Sequence, residues 1–447
     1  MKRNRMASQP PSSEPGGADA QPTSLLQAIR SIGPGLVVAL AWLGTGDLVD
    51  SSVSGSQHGY ALMWVLVIAL GARVLVTSSL AKYQLCNAVG DQTLMQGYRR
   101  IWRGLPLLIG GGGLALAVGI NGAILSGAGT ALYELTGRLG HPFFWAALSA
   151  GLAIVMTLSK RQYKILEVVA RGFVVVILGM FTYAAVAAEP DVTEILSGLA
   201  LGLPNDTSVI GAALLAASLV GAVGGSAANL LYGYLIQDKG WNQPHHRLAQ
   251  RLDIWAGGLS IIAINLLIWI VAAETLGGTG ESVASPEGLS HMMVLAVGPA
   301  GATMLWLSIF AITFDNLHAW AYGFAKMFVD ALHLTSSSRQ TRYVTLEGDP
   351  LMRRLEIGLL LVVPLILSLP KMPNMVVLTV VANAVNVVLI PVIAGGLIYL
   401  TTSRRLMRLE HANKWWETTL LLIVAIIGLW ATYHVVMGLP SLVGQLY

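Results

Sequence analysis

Four apolar stretches of the chain carry polar side chains of the kinds that bind small cations. Asp47 and Asp50 lie in the first stretch, and because positions three apart are neighbours on a helix, they are expected to share one face. The other side chains are, in chain order, Ser226 and Asn229, Asp315 and Asn316, and Asn383 and Asn386. An ionisable group at membrane depth is costly and is a functional hypothesis by default. If the four stretches meet, their oxygen atoms would suit a hard cation.

Glycine-rich motifs interrupt two of these stretches. The first reads Gly44-Thr45-Gly46-Asp47 and the second begins at Gly224-Gly225, shortly before Asn229. A helix broken within the membrane frees backbone groups, which is tolerated where they line a cavity or bind a substrate. Each motif lies in the first stretch of a set of five apolar stretches. Breaks at corresponding positions of two such sets predict an inverted-repeat secondary transporter. A glycine kink at a helix contact is the alternative for either motif taken singly.

Several of these polar residues also have a structural interpretation. Asn383 and Asn386 are of the type that hydrogen-bonds neighbouring membrane helices. Asp50 could stand either at the site or in an outer vestibule, where charge costs less. For Arg73, which lies within a span, the sequence predicts a pair with Glu167 or a side chain that reaches for the membrane surface.

Composition identifies the chain as an all-α, multi-pass membrane protein. Of its 447 residues, 55% are hydrophobic and 11% charged, with a mean hydropathy of +0.66, whereas soluble domains carry about 25% charged residues. About eleven membrane spans are predicted, near residues 32–57, 60–81, 105–133, 143–158, 165–188, 208–236, 254–275, 292–325, 356–369, 374–400 and 418–438. The stretch 292–325 could begin as an interfacial segment, and 356–369 is short.

The order of the spans predicts four regions. Residues 1–30 form a polar, Pro- and Gly-containing tail that is expected to be disordered and cytoplasmic. Residues 31–188 and 208–400 are the two predicted five-helix repeats, broken in their first helices, and 418–438 is an additional helix. Most Lys and Arg residues fall on one side of this topology, which predicts a cytoplasmic N-terminus and an external C-terminus. The expected location is a bacterial inner membrane.

The first span contains a run with a recognisable order of small and aromatic residues. It reads Gly-Pro-Gly at 33–35, Ala-Trp-Leu-Gly-Thr-Gly-Asp-Leu at 41–48 and Gly-Ser-Gln-His-Gly-Tyr at 55–60. This run resembles the first helix of the Nramp family of divalent-metal transporters. Further stretches that resemble the family follow in order, at 62–67, 89–91, 129–131, 229–232 and 390–391. The resemblance covers nearly the whole chain after residue 30 and implies a LeuT-like fold with broken helices 1 and 6.

The resemblance also implies a set of ligand positions, which this chain fills differently. The family's first break usually reads Asp-Pro-Gly-Asn and its sixth helix Met-Pro-His-Asn. By position, the binding Asp is Gly44 here, the binding Asn is Asp47, and the binding Met is Ser226. Backbone oxygens of Gly44 and Val223 are expected to point inward. Asp47 and Ser226 are the metal ligands predicted from these positions. Asp315 is added because a carboxylate within the membrane is costly, and the wider candidate site includes Thr45.

These exchanges alter the expected chemistry. A thioether favours softer transition metals, so Ser226 in its place predicts an all-oxygen site that accepts Mg²⁺ or Mn²⁺, partly hydrated. The family's proton-linked carboxylates fall at Ala123 and Ser126, and its histidine at Gly233, so none of these positions can titrate. The resemblance therefore implies transport without proton coupling. Asp315 and His318 together could still form a different relay.

The favoured function is alternating-access transport of a divalent cation within the lipid bilayer. A carrier of a monovalent or small organic cation is an alternative, since Asp47 and Asp315 would serve an ammonium equally well. A membrane sensor or scaffold that no longer transports is a second alternative. No grouping of nucleophile, base and oxyanion donors indicates an enzyme. No cofactor, nucleic-acid partner or obligate protein partner is expected.

Overall fold

The protein is built almost entirely of helices in the part of the chain that the structure describes. The structure is a computed structural model, which describes residues 44–158, 177–204, 211–223, 227–277, 279 and 283–446. The helices are α1 (Thr45–His58), α2 (Met63–Cys86), α3 (Leu94–Ile101), α4 (Leu105–Leu135), α5 (Pro142–Leu158), α6 (Ile177–Ala187), α7 (Val192–Ser197), α8 (Ala212–Val223), α9 (Leu231–Asp238), α10 (Arg247–Leu276), α11 (Pro286–Val297), α12 (Ala300–Thr335), α13 (Ser337–Arg342), α14 (Pro350–Arg354), α15 (Met375–Asn386), α16 (Ile390–Thr402) and α17 (Trp415–Leu446).

Seven helical segments of the described chain are long and apolar enough to cross a membrane. They are α2, α4, α8 with α9, α10, α12, α15 with α16, and α17, and the apolar helices α5 and α6 are shorter. Most agree with predicted spans. The predicted span 292–325 differs, because a separate α11 precedes α12, and α12 runs on to Thr335. The first halves of the first and fifth predicted spans lie outside the described residues.

Both predicted interruptions coincide with helix ends. Helix α1 begins at Thr45, and Gly44 before it is extended, with φ −93° and ψ 164°. Helix α8 ends at Val223, and a 3₁₀ turn at Ala227–Leu230 leads into α9, while residues 224–226, with Gly224 and Gly225, lie outside the described residues. The prediction that the first helix is unwound from Gly44 through Asp47 is wrong for its last three residues, which are helical.

The short ninth span owes its irregular shape to a proline. Residues Leu355–Val362 form a π-helix and Val363–Ser368 a 3₁₀ helix. Pro364 has no amide hydrogen and its ring crowds the carbonyl four residues earlier, so that carbonyl cannot take its helical hydrogen bond. The carbonyl is that of Leu360, and Asn121 of α4 donates its Nδ2 to it at 2.9 Å. A buried backbone acceptor is thereby satisfied by a neighbouring helix.

A buried carboxylate holds the loop that follows α2. Asp91 accepts a hydrogen bond from the Tyr83 hydroxyl at 2.6 Å. Arg100 of α3 forms a bidentate pair with the same carboxylate: Nε donates to Oδ2 and Nη2 donates to Oδ1, each at 2.8 Å. Asn87 accepts from the Asp91 amide at 2.9 Å. Bidentate pairs with a charged acceptor are among the stronger hydrogen bonds in proteins.

Replacing Asp91 by Ala is expected to lower the stability of the protein. Arg100 is partly exposed, so the expected loss is only about 1–3 kcal/mol in the free energy of unfolding. Thermal unfolding of the detergent-solubilised protein measures it. Arg138→Gln is the control, because the Arg138 side chain is 54% exposed, so its pair with Glu134 is expected to contribute little. An Asp91→Ala variant that unfolds at the same temperature as this control would contradict the role of the loop cluster.

Candidate cation-binding site

A cavity lies where the start of α1 meets α2, α4, α8, α12 and α15. Its lining is mostly backbone and small or apolar side chains, with a few polar groups that converge. The lining residues are Gly44, Thr45, Gly46, Asp47, Arg73, Ile120, Ala123, Ile124, Ala222, Asn316, Trp320, Thr379, Ala382 and Asn383. The predicted meeting of the first, sixth, eighth and tenth spans at one place is thus present in the structure.

Asp47 is the carboxylate of this cavity and is held in place from two sides. Its side chain is buried, and Oδ2 accepts a hydrogen bond from the Gly44 amide at 2.7 Å, which caps the start of α1. Oδ1 accepts from Asn265 Nδ2 of α10 at 3.3 Å. Asn265 is positioned in turn by Ser51, whose hydroxyl donates to Asn265 Oδ1 at 2.9 Å. The carboxylate is therefore fixed before any ligand binds.

Arg73 of α2 places a positive charge beside this carboxylate. Arg73 Nη1 lies 3.7 Å from Asp47 Oδ1, and Nη2 donates to the backbone carbonyl of Ala222 at 2.7 Å. Ala222 is next to last in α8, so its carbonyl is one of those that a helix end leaves without an intrahelical partner. The expected pair between Arg73 and Glu167 lies outside the described residues. Sequence reasoning missed the Asp47 contact.

Asp50 lies one turn beyond Asp47 and joins three helices. It is fully buried, which corrects the expectation that it could stand in an outer vestibule. Its Oδ2 accepts from Ser218 of α8 at 2.8 Å and from Asn383 of α15 at 3.0 Å. Within the described chain, its Oδ1 has no hydrogen-bond partner. Asn383, in contact with both the cavity and Asp50, links the candidate site to the packing of α1 against α15.

Two glycines allow this close packing. A Cβ on Gly46 would overlap Asn383 Nδ2, and a Cβ on Gly221 of α8 would overlap the backbone oxygen of Asn383. Asn386, one turn further along α15, donates its Nδ2 to the Gly221 carbonyl at 3.2 Å. The interpretation of Gly46 as a helix break is therefore corrected: Gly46 is helical, and it is small so that α15 can approach.

Other predicted site residues lie away from the cavity lining. Asn386 binds Gly221 instead, and Asn229 is buried in the 3₁₀ turn before α9. Asp315 is half-buried and does not line the cavity, because the neighbouring Asn316 faces it and successive helical residues point about 100° apart. Ser226 lies outside the described residues. Among the candidate metal ligands, Asp47 alone is found in the cavity lining.

A second polar cluster lies on another side of α12. The Thr157 hydroxyl of α5 is 3.2 Å from His318 Nδ1 and 3.1 Å from Glu356 Oε1. His318 Nδ1 is 3.8 Å from Glu356 Oε1. Asp315, three residues before His318 on α12, belongs to the same side of the helix. The carboxylates considered for the site thus lie in two places, Asp47 and Asp50 at or beside the cavity and Asp315 and Glu356 on this side of α12. No group of three His, Cys, Asp or Glu side chains gathers at a single point in the described chain.

The fold is LeuT-like. The structure resembles that of a variant of the manganese transporter from Eremococcus coleocola with a TM-score of 0.75 at 18% identity, covering 95% of this chain and 88% of that one. It also resembles Mhp1, a nucleobase-cation-symport-1 family transporter, with a TM-score of 0.57 at 14% identity, covering 93% of each chain. These likenesses concern the fold alone and confirm the predicted all-α, LeuT-like class.

The sequence identifies the family. The model of the family described as natural resistance-associated macrophage protein-like matches residues 35–437. The chain therefore belongs to the Nramp family. It is 27% identical over 332 residues to the divalent metal cation transporter MntH of Mycobacterium tuberculosis H37Rv, covering 72% of this chain and 76% of that protein. It is 24% identical over 302 residues to MntH of Deinococcus radiodurans, covering 65% and 67%. The protein is thus a multi-pass membrane protein of a metal-transporter family, and the Nramp resemblance is confirmed.

Proposed function

We propose that this protein is a secondary carrier of a divalent cation, and that the cation binds between Asp47 and the carbonyl end of α8. One observation carries the proposal: a carboxylate at the start of α1 and a backbone carbonyl at the end of α8 both belong to the cavity lining and already hold a positively charged group between them. Opposed broken helices of this kind bind ions at the midplane of secondary transporters. The curated relatives transport divalent metals by name.

The lining supports an oxygen-ligated cargo. Asp47, Thr45, Asn316 and backbone carbonyls supply oxygen, and no sulfur atom occurs among the described residues that line the cavity. Ser226 would add a hydroxyl in place of the family's thioether. Hard cations such as Mg²⁺ bind oxygen and keep part of their water, whereas a thioether shifts preference toward softer metals. The carrier is therefore expected to accept Mg²⁺ at least as well as Mn²⁺.

The positions that would carry protons support uncoupled transport. Ala123 lies in the cavity wall itself, so the place of a proton-linked carboxylate holds a methyl group. At Gly233, the space that a side chain would take is filled by Gln84, whose Nε2 donates to the Gly233 carbonyl at 2.9 Å. A proton pathway requires titratable groups in sequence across the membrane.

In alternating access, α1 and α8 would move together with their bundle around the site. The N-terminus would be cytoplasmic and the C-terminus outside.

Uptake by proteoliposomes tests both parts of the proposal. Purified protein is reconstituted with a pH-sensitive dye inside, and Mn²⁺ or Mg²⁺ is added outside. We expect metal uptake without acidification of the lumen, with Mg²⁺ moved at least as well as Mn²⁺. Acidification that scales with metal flux and is lost in Asp315→Asn or His318→Ala would contradict the coupling claim and identify the second cluster as the relay. Absence of uptake of either ion would overturn the proposed function.

A further inference from the structure

We infer that Arg73 is a built-in cation that occupies the cargo's place in the empty carrier and is displaced when a divalent cation binds. The inference rests on the proposed function, since it concerns the same site. It assigns to Arg73 a task beyond helix packing: to compete with the cargo and to neutralise Asp47 when no cargo is present.

The contacts of the guanidinium are those that a bound cation would make. Arg73 lies against the Asp47 carboxylate and donates to the Ala222 carbonyl, and these are the two acceptors that face each other across the cavity. The end of α8 also carries the negative end of a helix dipole, which favours a cation there. Arg73 is 5% exposed, so its charge is withdrawn from water and directed into the site.

Charge balance explains why both occupants cannot use the site together. Asp47 and Arg73 sum to no net charge, so a divalent cation that joined them would meet repulsion from the guanidinium at short range. If Arg73 moves aside, the ion gains the carboxylate and the carbonyl end of α8. Arg73 is carried by α2, and the cargo's two acceptors lie on α1 and α8, so the arginine and the acceptors belong to different helices.

The same exchange would complete the transport cycle without a proton. An empty site would otherwise hold an unpaired carboxylate inside the membrane, which is costly. With Arg73 in place, the empty carrier is neutral at the site and can return to its starting state. In a proton-coupled carrier a proton performs this neutralisation, so Arg73 accounts for the lack of titratable side chains at Ala123 and Gly233.

Calorimetry and transport of the Arg73→Gln variant test the inference on the full chain. Mn²⁺ and Mg²⁺ are titrated into wild type, Arg73→Gln and Arg73→Lys, each checked by thermal unfolding. We expect Arg73→Gln to bind at least about tenfold more tightly than wild type, because the competing charge is gone. Arg73→Lys keeps the charge and is expected to bind about as weakly as wild type.

A comparison of net uptake with exchange separates this role from a structural one. Proteoliposomes take up radiolabelled Mn²⁺ with either empty buffer or unlabelled Mn²⁺ inside. We expect Arg73→Gln to keep exchange, in which the carrier always returns loaded, and to lose net uptake. Arg73→Lys is expected to restore net uptake in part. A merely structural arginine would lose both activities together.

The outcomes distinguish failure of the inference from failure of the proposed function. If wild type binds a divalent cation and Arg73→Gln binds it no more tightly, the inference is overturned while the proposed function stands. If Arg73→Gln binds and wild type does not, Arg73 blocks the site permanently, and both its displacement by cargo and divalent transport by the wild-type protein are rejected. If neither binds Mn²⁺ nor Mg²⁺ although both are folded, both proposals fail.

Discussion

Replacing Asp47 by Asn is expected to abolish binding and transport of divalent cations. Asn keeps the shape of the side chain and an oxygen that can still accept from the Gly44 amide, so the start of α1 stays capped. It removes the only negatively charged side chain among the described residues of the cavity lining, and a divalent ion at membrane depth requires such a charge. We expect affinity for Mn²⁺ and Mg²⁺ to fall by at least about a hundredfold in calorimetric titration.

The single variant leaves Arg73 buried without its carboxylate, which can itself destabilise the protein. The double variant Asp47→Asn with Arg73→Gln removes both charges and is the control for folding. Thr379→Val is the matched control for the cavity, because the Thr379 hydroxyl is already bonded to the Met375 carbonyl at 2.7 Å. Thr379→Val is expected to bind normally. A folded double variant that binds divalent cations as wild type does would reject the role of Asp47.

Asn383 provides a graded comparison in the same cavity. Its amide supplies a dipole that water can replace, so Asn383→Ala is expected to weaken cation binding at most modestly. The structure adds a second consequence, because Asn383 donates to the buried Asp50. Loss of that bond is expected to lower the unfolding temperature even where binding persists. Stability and affinity therefore need to be measured on the same preparation.

These two helix ends could be predicted from sequence because glycine marks both places. Gly44 is extended and α1 begins directly after it, and α8 ends at Val223, immediately before Gly224. The structural role of an individual glycine is harder to predict from sequence than the presence of a helix end. The sequence predicts Gly46 as part of the break, yet Gly46 is helical and makes room for Asn383. Glycine can be required because its φ angle is unrestricted or because it has no Cβ. The sequence does not separate these two reasons, whereas the packing of a second helix against the glycine does.

The Arg73 contact could not be predicted from sequence for a related reason. An arginine in a span can reach the surface, pair with a carboxylate in another span or serve a site, and its true partner is 26 positions earlier in the chain, at Asp47. The rotation of each helix about its axis decides such pairings. The rotation of α12 likewise turns Asn316 into the cavity and Asp315 away from it. The cost of placing a carboxylate within the membrane, taken alone, predicts Asp315 as a ligand.

Gly221→Ala is expected to cause the largest loss of stability among single substitutions at the helix contacts around the site. The added methyl group would overlap the backbone oxygen of Asn383, which cannot turn away as a side chain could. Helix α8 would have to move from α15, and the bond from Asn386 to the Gly221 carbonyl would stretch. Forcing an extra carbon into a packed contact costs about 1–3 kcal/mol, and more where backbone must shift. Because Ala222 follows directly, the carbonyl that faces Asp47 would shift as well.

Thermal unfolding and size-exclusion profiles of Gly221→Ala, Gly46→Ala and Gly119→Ala form a graded series. A Cβ on Gly119 of α4 would meet no atom within 4 Å, so this control is expected to unfold at the wild-type temperature. The clash at Gly46 is with a side-chain amide, so an intermediate loss is expected, together with a weakened Asn383 bond to Asp50. Equal stability of the Gly221 and Gly119 variants would show that α8 does not pack against α15 as closely as described here. The candidate cation site would then lose its support, since the end of α8 that lies near Asp47 is held in place by that contact.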